Sequence, residues 1–316
     1  MVLFVVMELN DVLSNPKKLR MLTGLTPEEF EELARTFAQI WQEHTRLNWL
    51  GQQRQRAKGG GMGGQLNSAR KRLFFILIYF RHYPIQEFLG ALFGFTQSQA
   101  NRWIMRLTPL LKKALKRELV LPERRTANLG RLFKEEPERK LLLDGTDRPV
   151  RRPQNPEKQK ECYSGRKKRH TVKNVVLTCQ RAVEYLSPTA PGSQSDKTLA
   201  EPLETVDFPK QCVVISDLGF QGLRLANQAL IHPTKKPKGR ELDPVLRPFN
   251  RVLAGVRIGV EHVISGVKRC RIVSDILRHL KEGFNDLVME VAVGLHNFRE
   301  LHRSGAAPAL SPIQLN

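Results

Sequence analysis

Apolar residues recur at helical spacing between residues 26 and 50, where Phe30, Leu33, Phe37, Ile40 and Trp41 share one face. Thr26 stands ahead of them as a cap, Pro27 suits the first turn, and Glu28 and Glu29 complement the positive end of the helix dipole. A packing helix is predicted. Gly59, Gly60, Gly61, Gly63 and Gly64 then predict a flexible linker, because neither helix nor strand tolerates such a run. Beyond it Asn67 or Ser68 can cap a helix whose centre, Leu73–Phe80, is apolar all round and hence buried. Pro84 opens a short helix through Phe88, Leu89 and Leu92, Gly94 marks a turn, and Thr96 caps a third helix from Gln97 to about Leu119. The succession fits a helix-turn-helix. An ordinary helical bundle with one wet face gives the same pattern.

From Lys140 the period changes to short β-branched or apolar runs bounded by Gly, Pro or charge. Strands are predicted at Leu141–Asp144, Thr171–Cys179, Ala182–Leu186, Cys212–Asp217 and Ala229–His232, and helices at Ser195–Val206, Phe220–Asn227, Pro244 to about Ile272, and Phe284–His302. Three early strands followed by alternating helices imply an α/β domain with a mixed sheet.

Charge adds a partner to this picture. The 316 residues carry 52 Lys+Arg against 31 Asp+Glu, a formal +21. Residues 67–173 hold 26 of the basic groups and only 10 of the acidic ones. The densest stretch, Arg148–Lys173, contains Arg166, Lys167, Lys168 and Arg169 in succession. A single charge run is usually a solvated loop. The same sign repeated over a hundred residues points to phosphate contact with nucleic acid, and the absence of a basic amphipathic face disfavours lipid. In the third helix Gln97, Gln99, Asn101 and Arg102 are of the kinds that read base edges, and Lys112, Lys113, Lys116 and Arg117 suit phosphates. No apolar run approaches the roughly 18 residues of a membrane span, so no membrane partner is expected. Met1–Met7 lacks the basic leader of a secretory signal, and Met7 is an alternative start. Cys162, Cys179, Cys212 and Cys270 are too widely spaced for a CxxC pair and are expected to be reduced thiols in the core.

Two predicted strands end in aspartate, Leu-Leu-Leu-Asp144 and Val-Val-Ile-Ser-Asp217, at the carboxyl edge where α/β sheets host chemistry. A third carboxylate, Glu261, lies inside a helix, with Arg257 and Lys268 within about 40° of it on the barrel. Gly255, Gly259 and Gly266 cluster on the opposite side, where close approach of another element is expected to offset their helix cost. Taken singly, each acid reads as a turn aspartate or a paired glutamate. Three of them converging would need cations, and two divalent ions about 3.5 to 4 Å apart would satisfy them and drive phosphodiester displacement. Oxygen ligands select Mg²⁺ (or Mn²⁺).

From about residue 20 to 303 the chain resembles the DDE transposases of bacterial insertion sequences, in the insertion-sequence-five-like group related to Harbinger elements. The motifs are Leu-Asp144-Gly-Thr-Asp147-Arg-Pro, Tyr163-Ser-Gly-Arg-Lys-Lys-Arg-His170-Thr-Val-Lys173, Gly192-Ser193 followed by Asp196-Lys197, Asp217-Leu-Gly-Phe-Gln-Gly222, and Arg257 to Lys268. Asp147 stands where relatives often have glutamate, and Ala254 where related families place tyrosine. The resemblance implies a ribonuclease H-like catalytic domain in which Asp144, Asp217 and Glu261 are the catalytic, metal-binding triad. Arg257 and Lys268 are assigned to phosphate contact near the scissile bond.

The expected organisation is a helical segment and linker at 1–66, a helix-turn-helix DNA-binding domain at 67–125, and the catalytic domain at 138–303. The expected activity is metal-dependent cleavage at terminal inverted repeats followed by strand transfer, by a homo-oligomer on double-stranded DNA in the bacterial cytoplasm. Rival readings are a DNA-binding regulator that no longer cuts, a metal-dependent nuclease without strand transfer, and a basic RNA-associated protein. The last gives no reason for carboxylates at two strand ends.

Overall fold

The computed structural model describes residues 8–46, 52–53, 64–134, 138–239, 241 and 243–304; the opening Met1–Met7 and the linker glycines 59, 60, 61 and 63 lie outside these. In chain order the described residues form helices α1 (Leu9–Leu13), α2 (Pro16–Thr23), α3 (Pro27–Arg46), α4 (Ala69–His82), α5 (Gln86–Leu92), α6 (Gln97–Arg117), α7 (Thr126–Lys134), α8 (Pro156–Cys162), α9 (Asp196–Ala200), α10 (Leu246–Val267) and α11 (Phe284–Ser304). The strands are β1 (Lys140–Pro149), β2 (Tyr163–Ser164), β3 (Arg169–Cys179), β4 (Ala182–Leu186), β5 (Ala190–Pro191), β6 (Val213–Ser216) and β7 (Leu230–Ile231). Two compact units result: residues 1–121 with 269–272 and 287–316, and residues 122–268 with 273–286.

The first unit is helical. Thr26 and Glu29 bond reciprocally to each other's backbone N–H at the start of α3, and Thr96 and Gln99 do the same for α6, so both helices begin where their caps dictate. Ser68 accepts from the Lys71 N–H at the head of α4. All of Leu73–Phe80 is buried, which makes α4 the central helix, packed against α2, α3 and α6. Pro84 lies two residues ahead of α5 rather than in its first turn, because Ile85 takes the cap. Gly90 and Gly94 shape the α5–α6 turn: a β-carbon at 90 would meet the Phe95 carbonyl at 2.7 Å, and Gly94 is left-handed at φ 69°.

The second unit is a mixed sheet in the order β2-β3-β1-β6-β7, with β4 and β5 also on β3. β1, β3 and β4 pair antiparallel, while β1, β6 and β7 run parallel. Helix α9 packs against β3, and α10 lies against β1 and β6. This is the mixed sheet flanked by helices that the resemblance implied.

Several expectations are corrected. The first strand does not stop at Asp144: β1 runs on to Pro149 because β3 continues to pair with it as far as Thr171. Phe220–Asn227 is not a helix, since Gly222 and Asn227 both take positive φ, which a helix excludes. The helix from Pro244 starts at Leu246 and ends at Val267, short of Ile272. Close approach holds for Gly259, whose added β-carbon would meet Leu142 at 3.1 Å, but Gly255 faces open space. Arg148 does not face a partner either; it is 3% exposed and bonds to Asn174, Thr189 and the Asn285 carbonyl. All four cysteines are free thiols, but only Cys212 and Cys270 are buried.

Candidate active site

The last rung of the parallel pairing between β1 and β6 joins Leu143 to Ser216. The next residue on each strand is an aspartate, so register alone makes Asp144 and Asp217 neighbours. Asp144 continues into the antiparallel half of the sheet and accepts from the Gly145 N–H at 2.7 Å. Asp217 ends its strand and caps a short 3-10 turn, Leu218–Phe220, by accepting from the Gly219 N–H at 2.8 Å. Both glycines leave room for carboxylates: a β-carbon at 145 would stand 2.8 Å from Oδ1 of Asp196, and one at 219 would stand 2.9 Å from Oδ1 of Asp217 and 3.4 Å from Oδ2 of Asp196.

Three acidic side chains therefore border one point of the sheet edge: Asp144, Asp217 and Asp196, the first residue of α9. Burial pushes the Asp144 carboxyl up to about 6; the Gly145 N–H opposes this, while the charges of Asp217 and Asp196 add to it. Asp196 is held by an ion pair with Lys173 of β3 at 3.1 Å. Arg257 of α10 approaches Asp217 at 3.8 Å, and its Nε is enclosed without a hydrogen-bond partner. Lys268, which caps the end of α10, is held below the usual lysine range by burial, against the pull of Asp147.

Of the expected triad, then, the structure brings Asp144 and Asp217 together. Glu261 sits one turn beyond Arg257 on α10 with an exposed side chain. Among the described residues no three His, Cys, Asp or Glu side chains are assembled as a ready metal site. Asp196 and Lys173 are the site residues that sequence reasoning missed. Both stand in motifs that carry the resemblance, Asp196-Lys197 and Tyr163 to Lys173, but spacing does not say that α9 meets β3 beside Asp144.

The expected DNA contacts divide into free and engaged groups. Arg166, Lys167, Lys168 and Arg169 are all exposed, the first three in the turn joining β2 to β3 and Arg169 at the start of β3. On α6, Arg102, Lys113 and Lys116 are exposed. Gln99 spends its side-chain oxygen on the Thr96 cap. Gln97 and Asn101 are both bonded to Gln86 of α5, which ties them to the turn. Lys112 pairs at 2.8 Å with Glu290, whose side chain is 7% exposed, and Arg117 pairs with Glu43. No described helix is long and apolar enough to cross a membrane.

Residues 143–297, which span this sheet edge, match the family described as DDE superfamily endonuclease, and residues 64–117, which span α4 to α6, match the helix-turn-helix of DDE superfamily endonuclease. The chain is 27% identical over 228 residues to the probable transposase for insertion sequence element IS702 of Microchaete diplosiphon, across 72% of this chain and 79% of that protein. No solved structure matches it. With an endonuclease match over the paired aspartates, a helix-turn-helix match over the capped helices, and a transposase relative along most of its length, the chain belongs to the DDE-superfamily transposases of insertion sequences.

Proposed function

We propose that this transposase binds the terminal inverted repeats of its element through α4–α6, cleaves a strand there with Asp144, Asp217 and Glu261, and joins the freed 3′ end to target DNA. The observation that carries the reading is the in-register placement of Asp144 and Asp217 in a chain of this family. Glu261 is the proposed third acid because Arg257, one turn away, already reaches Asp217.

The donor set fits a hard divalent cation: carboxylate oxygens, with no thiol or imidazole among the residues named. Asp144 and Asp217, with Glu261, would hold Mg²⁺ or Mn²⁺. When bound, two such ions supply charge neutralisation at the attacked phosphate and activation of the attacking water or hydroxyl. The chain's own residues do the rest. Arg257 and Lys268 contact non-bridging phosphate oxygens. Lys173 holds the Asp196 side chain in place at the wall of the site through their 3.1 Å ion pair. In hydrolysis a water oxygen bonds to phosphorus, the bond to the 3′ oxygen breaks, and that oxygen leaves protonated; in transfer the same 3′ hydroxyl oxygen bonds to a target phosphorus, the target's own bond from phosphorus to its 3′ oxygen breaks, and that oxygen leaves carrying the proton the attacking hydroxyl gives up. Oligomerisation on paired ends, in the cytoplasm and on the nucleoid of a bacterial host, belongs to the same proposal.

The test is incubation of the full chain with duplexes carrying the element ends, with Mg²⁺, Mn²⁺ or a chelator, and with a target plasmid. Metal-dependent nicks at the end boundary and joined products are expected, abolished in Asp144→Ala, Asp217→Ala and Glu261→Ala while duplex binding persists. Nicks without joining would leave a nuclease, and binding without nicks a regulator.

A further inference from the structure

The amino-terminal unit carries a cationic aromatic cluster that the cleavage chemistry does not use. The Arg72 guanidinium of α4 stands 3.9 Å from the centroid of the Trp41 ring of α3. The Arg106 guanidinium of α6 stands 4.5 Å from the same ring and 5.6 Å from that of Trp103, and the two indoles are 6.1 Å apart. All four side chains are partly exposed.

The electrostatics of this arrangement are unfavourable as it stands. Burial, and next the charge of Arg106, holds Arg72 down to about 10. The Arg72 Nε is enclosed without a hydrogen-bond partner. Its neighbours on α4 have carboxylates, Arg70 with Glu31 and Lys71 with Glu8, but among the described residues none pairs with Arg72. Two guanidiniums on one indole keep their planes fixed by cation–π contact and repel each other while partly out of water. An anion entering there relieves the repulsion and finds donors already oriented.

We propose that Arg72, Arg106, Trp41 and Trp103 form a seat for a backbone phosphate of duplex DNA, on the same helix as the exposed Gln99 and Arg102 of α6. The inference rests on the DNA-binding reading above and extends it. Trp41 lies outside the helix-turn-helix match at residues 64–117, so α3 becomes part of the DNA interface. A phosphodiester is the anion of choice because residues 67–173 hold 26 of the chain's 52 basic groups.

The experiment is the salt dependence of duplex binding by the full chain between about 50 and 200 mM salt. Arg72→Gln is expected to lower the slope of log affinity against log salt by about 0.9, the signature of one phosphate fewer being neutralised, and Arg72→Lys to restore it. Partial misfolding lowers the active fraction and not this slope. In a Trp49→Phe background, duplex is also expected to change tryptophan emission, and less so with Arg72→Gln. An unchanged slope in Arg72→Gln overturns the seat, as does inorganic phosphate alone reproducing the full emission change while that slope stays put. A wild-type chain that binds no duplex overturns the DNA-binding reading itself, which is distinguishable because no variant then has a slope to compare.

Discussion

Asp144 and Asp217 are the first residues beyond the last shared rung of two parallel strands, and this places their carboxylates side by side at the sheet edge. Neither is neutralised by the other; Arg257 stands 3.8 Å from Asp217, and the charge of Asp144 is felt by Lys268. Burial, and the charges of Asp217 and Asp196, disfavour the charged form of Asp144 and strain the site.

That strain has a pH signature. The Asp144 carboxyl is raised from its ordinary 3.8 to about 6 in the fold, so its protonated form is the one that folding favours. The corresponding stability is fully present below pH 4 and is lost as pH rises through 6. Asp144→Asn mimics the protonated form. In metal-free buffer it should match the wild type in thermal stability below pH 4 and exceed it above pH 7, by on the order of 2 kcal/mol once partial exposure is allowed for. Added Mg²⁺ should narrow the gap by stabilising the wild type alone. A gap that stays constant from pH 4 to 8 would contradict the assignment.

Gly145→Ala tests the crowding beside Asp144. The new β-carbon would fall 2.8 Å from the Asp196 carboxyl, which Lys173 holds in place, so one of these groups must shift. A loss of about 1 to 3 kcal/mol in folding stability is expected from such overpacking, together with loss of cleavage and retention of duplex binding. Full cleavage activity in the variant would show that Asp196 yields freely.

The basic turn between β2 and β3, with the first residue of β3, exposes Arg166, Lys167, Lys168 and Arg169. Neutralising all four should reduce the salt slope of duplex binding by up to about 0.9 for each phosphate that the turn no longer engages, with an unchanged melting temperature. If the slope is the same, the turn is merely solvated.

Lys112 behaves differently from its neighbours on α6. Its pairing with the nearly buried Glu290 makes Lys112→Ala a stability mutation, expected to cost about 1 to 3 kcal/mol because a desolvated carboxylate loses its partner. Lys113→Ala and Lys116→Ala should instead weaken binding to all duplexes alike and leave stability within about 0.5 kcal/mol. Chemical denaturation of the three variants separates the two classes.

Local rules carried much of this protein. The caps at Thr26, Ser68 and Thr96, the all-apolar Leu73–Phe80 and the left-handed Gly94 act within a few residues, so the sequence alone determines where α3, α4 and α6 begin and which one is buried. The short helices α1, α2, α7 and α8 are not among the predicted elements, since one or two turns give periodicity little to work with. Asp144 and Asp217 were legible as acids closing apolar strands. Their adjacency was not, because strand register depends on which residues pair across a gap of 73 positions, 217 − 144. The same holds for Asp196 reaching Gly145, Arg72 and Arg106 sharing one indole, and Lys112 finding Glu290. It holds too for Arg148, which reads as surface charge in the sequence and is buried because β3 and the Asn285 carbonyl surround it. Spacing and residue type determine what a segment can become, since helix caps and periodicity act over a turn or two. Which charges are desolvated, paired or left facing one another is decided only by tertiary packing, because Coulomb and desolvation energies depend on distances that the chain sets when it closes.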